Sequence, residues 1–182
     1  MSTSTLTSTT FEQHRFFTEN GMFFCVMKLF FLLVWFAICA EQDARRKEIL
    51  NGLTLGAAAL AAGYLAVTGL TWLGSPPLEG ALALVLALAL TLPGYTLGRL
   101  GAADVKLMTA LALASNTAYL LCTFIGAGVA MLAWALIGKR VWPLIHQQVT
   151  QRYKHMNPGT PDKYPFSPFL LIGLLLTVCV IH

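Results

Sequence analysis

The sequence predicts an all-α, polytopic membrane protein with about six transmembrane helices. Of its 182 residues, 57% are hydrophobic and 11% are charged, whereas a soluble domain carries about 25% charged residues. The charges are clustered, and long uncharged apolar stretches separate them. A helix needs about 20 apolar residues to cross the hydrocarbon core. Because these stretches occupy most of the chain, little length remains for a separate soluble domain.

Six apolar stretches define the predicted membrane domain, residues 22–182. Residues 1–21 are polar and rich in Ser and Thr, and we expect them to be disordered. The stretch 105–138 is too long for one span and is divided at Ser115-Asn116. The predicted spans are therefore about 22–40, 49–72, 78–97, a short fourth helix ending near 115, 117–138 and 165–181. Residues 142–153, in the longest loop, are a candidate interfacial helix.

Basic residues predict the orientation of the spans. Ten of the 12 Lys and Arg residues lie in three alternate loops. By the positive-inside rule these loops face the cytoplasm, and both termini lie on the opposite side. Because the basic residues lie in loops between apolar spans, the net positive charge indicates contact with the lipid bilayer and not binding of nucleic acid. The ten residues are Arg45, Arg46, Lys47, Arg99, Lys106, Lys139, Arg140, Arg152, Lys154 and Lys163.

Cysteine and glycine spacing indicates packing. Cys25, Cys39, Cys122 and Cys179 lie in or beside apolar spans without a CxxC pair, so the sequence predicts no metal site, disulfide framework or cofactor. Glycines at four-residue spacing, Gly52/Gly56 and Gly94/Gly98, predict close helix contacts.

Asp43 and Asp104 are the candidate catalytic residues. Asp43 follows the first span and Asp104 begins the fourth, so the predicted topology places both at the cytoplasmic membrane edge. Two neighbouring carboxyls do not both ionise easily. One can therefore accept a proton from water while its protonated partner polarises a peptide carbonyl. The alternative is that each carboxylate only pairs with Arg45, Arg46 or Lys106 at a solvated rim.

Three local motifs resemble those of the type IV prepilin peptidases, over about residues 24–181. The segment Asp43-Ala-Arg-Arg-Lys-Glu-Ile-Leu-Asn51 resembles the first aspartate motif of that family. The segment Gly101-Ala-Ala-Asp104-Val-Lys-Leu107 resembles the second. Pro165-Phe-Ser-Pro168-Phe-Leu170 is similar to the proline-bracketed start of the family's final helix.

The resemblance implies an aspartyl endopeptidase of the bacterial inner membrane that removes prepilin leaders at the cytoplasmic face. Asp43 and Asp104 would be its catalytic dyad. Larger members carry a methylating N-terminal region, often with a four-cysteine zinc loop, and this sequence has neither the length nor the cysteine pairs expected for them. It is similar instead to the small, peptidase-only members that serve Flp-type (tight-adherence) pili. The implied partners are a prepilin and the pilus-assembly proteins.

One residue departs from the family pattern. The second glycine of the usual Gly-x-Gly-Asp is Ala103 in this chain. If the turn requires a positive φ, alanine strains it, because glycine adopts such conformations more readily. If the glycine only permits close approach, a methyl group is tolerated.

The sequence leaves three other functions open. The aspartates of a small transporter or channel would relay protons or bind cations, which predicts acidic residues deep within spans. A non-catalytic pilus-assembly component would retain the fold without the activity, and Ala103 is the sequence feature that favours it. A preflagellin or other signal-type peptidase would use the same two aspartates.

The orientation is testable by cysteine accessibility. In a variant without native cysteines, we expect Cys at position 45 to be protected from a membrane-impermeant thiol reagent added outside the cell. Cys at position 75, in the turn between the second and third spans, should react. Labelling of residue 45 from outside contradicts the predicted orientation.

Overall fold

The computed structural model describes residues 4–46, 49–98, 100–144 and 165–181, with side chains from residue 24 onward except 139 and 144. Every regular element described is helical, so the predicted all-α class is confirmed. The helices are α1 (Ser4–Arg46), α2 (Asn51–Thr68), α3 (Pro77–Thr96), α4 (Ala102–Ala114), α5 (Thr117–Val141) and α6 (Ser167–Ile181), with a 3₁₀ turn at Trp142–Leu144. The rest of the candidate interfacial helix, 145–153, lies outside the described residues.

The chain divides into two compact units, Met1–Leu32 and Leu33–His182. The first contains the N-terminal part of α1, which begins at Ser4. The predicted boundary between residues 21 and 22 is not tested by this division and stays a prediction. All contacts discussed below lie within the second unit.

Four described helices are long and apolar enough to cross a membrane. They comprise the Phe24–Arg46 part of α1, α2, α3 and the Thr117–Gly138 part of α5. The other two are shorter: α6 has 15 residues and α4 has 13. At 1.5 Å per residue, α4 is about 20 Å long, less than the hydrocarbon thickness. These helices support a polytopic membrane protein, as predicted.

The break between α4 and α5 lies at Ser115-Asn116, as the sequence predicts. Asn116 is the N-cap of α5, and its side chain accepts a hydrogen bond from the Tyr119 N–H at 2.9 Å. Its Nδ2 donates to Ser75 Oγ at 3.1 Å. The Leu73 N–H also donates to the Ala114 carbonyl at 2.9 Å. The α2–α3 turn is therefore held against the α4–α5 turn at this end of the bundle.

Helix α4 is the core of the second unit. It packs on α2 and α3, and the side chains of Leu107, Met108 and Leu111 are fully buried. The long helices around it expose large apolar side chains such as Leu60, Val85 and Leu132, as helices that face lipid do. In the first turn of this short helix the Asp104 side chain is buried, although Gly101 and Ala102 before it are exposed.

Close helix approach occurs between α5 and α6. The pair responsible is Gly126 and Gly173, where a Cβ on Gly126 would lie 2.9 Å from the Gly173 Cα. The predicted contact at Gly52/Gly56 is wrong, because a Cβ at either position would meet no described atom within 4 Å. Gly98 instead takes a positive φ of 69° in the turn after α3.

The glycine contact predicts a position-specific loss of stability. A Cβ at Gly173 would lie 2.6 Å from the Ala127 backbone nitrogen, and backbone moves less easily than a side chain. We expect Gly173→Ala to lower the free energy of unfolding by about 1–3 kcal/mol, as overpacking does.

The matched control for this change is Gly128→Ala, which lies in α5. A Cβ at Gly128 would meet nothing within 4 Å, so the gain in helix propensity should raise stability by about 0.5–1 kcal/mol. Thermal unfolding in detergent measures both variants. Equal stabilities of the two variants contradict the assigned contact.

Candidate active site

Three helix ends meet around Asp43 and Asp104. Asp43 lies in the last turn of α1, Asp104 in the first turn of α4, and Ser167 begins α6. The two aspartates are only 5% and 6% exposed. A solvated rim is therefore not their environment, and that part of the alternative is wrong. The structure brings the two predicted site residues together at one end of the bundle.

The start of α4 presents Asp104. Asp104 is the third residue of the helix after the N-cap, Gly101, and its Oδ2 accepts the Gly101 N–H at 3.1 Å. This is the reciprocal half of a capping box, in which the third residue accepts from the N-cap N–H. The positive end of the helix dipole also stabilises a carboxylate at this position. The glycine-rich turn thus fixes both the place and the rotation of the carboxylate.

Asp43 joins α1 to the start of α6. Its Oδ2 accepts the Ser167 N–H at 3.1 Å, within the buried interior. The first N–H groups of a helix have no partner inside the helix. Asp43 therefore supplies an acceptor, from a segment 124 residues away, to an N–H that α6 cannot satisfy itself.

Ser167 contacts the second aspartate as well. Its hydroxyl donates to Asp104 Oδ1 at 3.0 Å, and the residue is fully buried. Ser167 is not among the site residues predicted from the sequence. Its position between Pro165 and Pro168 is the available signal, because prolines are favoured in the first turn of a helix, where N–H groups are unpaired. That signal does not say which groups would accept the hydrogen bonds.

Ala103 does not strain the turn. The residue lies inside the first turn of α4, which is helical from Ala102. The N-cap, Gly101, has a φ of −82°, a value that any residue adopts. The positive-φ explanation of the family's glycine is therefore wrong for this chain. The methyl group of Ala103 is accommodated in ordinary helix geometry.

Two further motif residues link α2 and α4. The Lys106 Nζ donates to Asn51 Oδ1 at 2.7 Å. The N-cap of α2 is Leu50, without a side-chain cap, so Asn51 does not cap this helix and its side chain accepts from α4 instead. The pair connects the start of α2 to the first two turns of α4, close to Asp104.

A separate open pocket of about 390 Å³ lies between the end of α1 and the start of α2. Glu41 and Arg45, which line it, form an ion pair with each other. Asp43 and Asp104 are not among its lining residues. Within the part of the chain that the structure describes, no cluster of three or more His, Cys, Asp or Glu side chains could hold a metal ion.

Comparison with known protein families identifies a match over the middle of the chain. A profile described as the type IV leader peptidase family matches residues 30–136, more than half of the chain. The matched region contains Asp43 and Asp104 and the whole of α2, α3 and α4. No significant match is found among curated proteins or among solved structures.

The helical position of Ala103 predicts the effect of restoring the glycine. Because glycine is a poor helix former, we expect Ala103→Gly to lower the free energy of unfolding by about 0.5–1 kcal/mol. Peptidase turnover should be retained or rise slightly, because the hydrogen bonds that Asp104 accepts from Gly101 and Ser167 do not involve Ala103. Thermal unfolding and a cleavage assay check the two effects. A severe loss of turnover means that the alanine is needed for the function of this particular chain.

Proposed function

Because the chain belongs to the type IV leader peptidase family, we propose that it is a membrane aspartyl endopeptidase with Asp43 and Asp104 as its catalytic dyad. Its substrate is a prepilin, whose leader it removes at the cytoplasmic face of the bacterial inner membrane. One structural observation gives this proposal its main support. Two buried carboxylates from distant parts of the chain accept hydrogen bonds from the same residue, Ser167.

The chemistry follows from two carboxyl groups that share one proton. The ionised carboxylate removes a proton from water, and the water oxygen attacks the scissile carbonyl carbon. The protonated partner hydrogen-bonds to the carbonyl oxygen and stabilises the charge that develops there. The tetrahedral intermediate then collapses with cleavage of the C–N bond. The departing amine takes up a proton, and the new carboxyl group retains the water oxygen.

The position of the dyad suits a substrate that is partly in the membrane. Both aspartates lie at helix ends and not midway along a spanning helix. A prepilin whose apolar helix lies in the bilayer would place its leader junction at that depth. By resemblance to the peptidase-only members, we favour an Flp-type prepilin with a short basic leader. Pilus-assembly proteins are the partners that this function implies.

The transporter alternative receives no support from the described spans. A proton or cation path predicts acidic side chains deep within helices. The acidic residues whose side chains are described are Glu41, Asp43, Glu79 and Asp104, and each lies within a turn or two of a helix end. Glu79 accepts a hydrogen bond from Thr117 at the opposite end of the bundle from the dyad.

Substitution of either aspartate tests the dyad. Asparagine preserves the shape and an acceptor oxygen but cannot exchange the proton. We expect Asp43→Asn and Asp104→Asn each to reduce cleavage of a co-expressed Flp prepilin by at least about 10²–10⁴-fold, the usual contribution of general acid–base catalysis. Loss of the leader is followed by gel mobility and mass spectrometry.

Glu79→Gln is the matched control, because it neutralises a carboxyl group at the far end of the bundle. It should process the prepilin at the normal rate. Normal processing by either aspartate variant removes that residue from the dyad. A wild-type chain that cleaves no prepilin of any type, under conditions where it is folded in membranes, contradicts the proposed function itself.

A further inference from the structure

One residue donates hydrogen bonds to both aspartates, through two different groups. Ser167 offers its N–H to Asp43 and its hydroxyl to Asp104. We propose that Ser167 is a positioning residue, which sets the separation and rotation of the two carboxylates so that one water can be activated between them. This inference rests on the proposed function and adds a third residue to its site.

The connection between the two carboxylates through Ser167 is short. The N–H nitrogen and the hydroxyl oxygen of Ser167 lie 3.1 Å from Asp43 Oδ2 and 3.0 Å from Asp104 Oδ1. Both donors belong to one residue and are separated by only three covalent bonds. Movement of one carboxylate relative to the other therefore stretches at least one of these hydrogen bonds. Since the other oxygen of Asp104 accepts the Gly101 N–H, the plane of that carboxylate is held at both oxygens.

Ser167 is itself held firmly. The Phe166 carbonyl accepts the N–H groups of Phe169 and Leu170 at 3.0 and 3.1 Å, which fixes the first turn of α6. Pro168 restricts that turn further, and proline is tolerated there because the first helical N–H groups need no intrahelical acceptor. The Gly126/Gly173 contact anchors α6 against α5. The two donors are thus presented by a preorganised helix start and not by a flexible loop.

Loss of the hydroxyl should affect turnover more than binding. Alanine at this position retains the N–H to Asp43 and removes one donor from Asp104, so the second carboxylate is less constrained. Small displacements of a catalytic group cost on the order of 10²-fold in rate, and loss of an outer group that orients a catalytic centre costs about 10–100-fold. Ser167 is fully buried, so it is not expected to add contacts to the leader.

The experiment measures kcat and KM of the purified full chain in detergent, with a Flp prepilin as substrate. We expect Ser167→Ala to lower kcat by about 10–100-fold and to leave KM within about twofold of the wild-type value. Ser167→Thr keeps the hydroxyl and should recover most of the turnover. Ser167→Cys retains the size but has a weaker donor, so its kcat should lie between those of the alanine variant and the wild type.

Ser115→Ala is the matched control. Ser115 is also a fully buried serine, but its hydroxyl donates to the Leu111 carbonyl at the other end of α4. The same atoms are removed from the same degree of burial, so kcat and KM should stay at wild-type values. An equal fall in kcat for the two alanine variants attributes the effect to a general loss of structure and overturns the positioning role.

The outcomes separate this inference from the proposed function. If the aspartate variants are inactive and Ser167→Ala retains wild-type kcat, only the role of Ser167 is wrong. If Asp43→Asn and Asp104→Asn cleave normally, the dyad and the positioning role fail together. Should Ser167→Ala not fold, as thermal unfolding would reveal, Ser167→Cys decides: a wild-type kcat in that variant overturns the inference, and a reduced kcat with rescue by threonine supports it.

Discussion

The site depends on one requirement, that buried carboxylates need hydrogen-bond donors. An acidic group taken out of water is costly unless it is hydrogen-bonded or paired. This fold supplies donors from helix N-termini, where backbone N–H groups are unpaired. Gly101 at the start of α4 and Ser167 at the start of α6 provide them. The requirements of the carboxylates and of the two helix ends are therefore satisfied by the same hydrogen bonds.

The remainder of the fold brings those helix ends to one place. Helix α4 has 13 residues and is packed among longer helices, and the Asp104 side chain in its first turn is buried. The opposite end of α4 is fixed through Ser75 and Asn116, which join two turns. The close contact of Gly126 and Gly173 sets α6 against α5. Each of these packing features constrains the position of a donor or an acceptor at the site.

Local sequence was sufficient for some of these features and insufficient for others. The interruption at Ser115-Asn116 is predictable because Asn is a good N-cap and the apolar stretch is too long for one span. Asp43 and Asp104 can be selected as candidates from their own flanking residues. The role of Ser167 is not, because its acceptors lie 124 and 63 residues away in the chain. Which glycines allow close approach is likewise decided by tertiary packing.

The dependence of α6 on Asp43 has a consequence for how the protein is made. Helix α6 follows the other described helices in chain order, so its two donors enter the membrane after those helices during synthesis. Until then Asp43 and Asp104 lack the residue that connects them. The geometry of the site is therefore completed only when α6 has been inserted, and a chain that still lacks α6 in the membrane should be a poor hydrolase even though both carboxylates are already present.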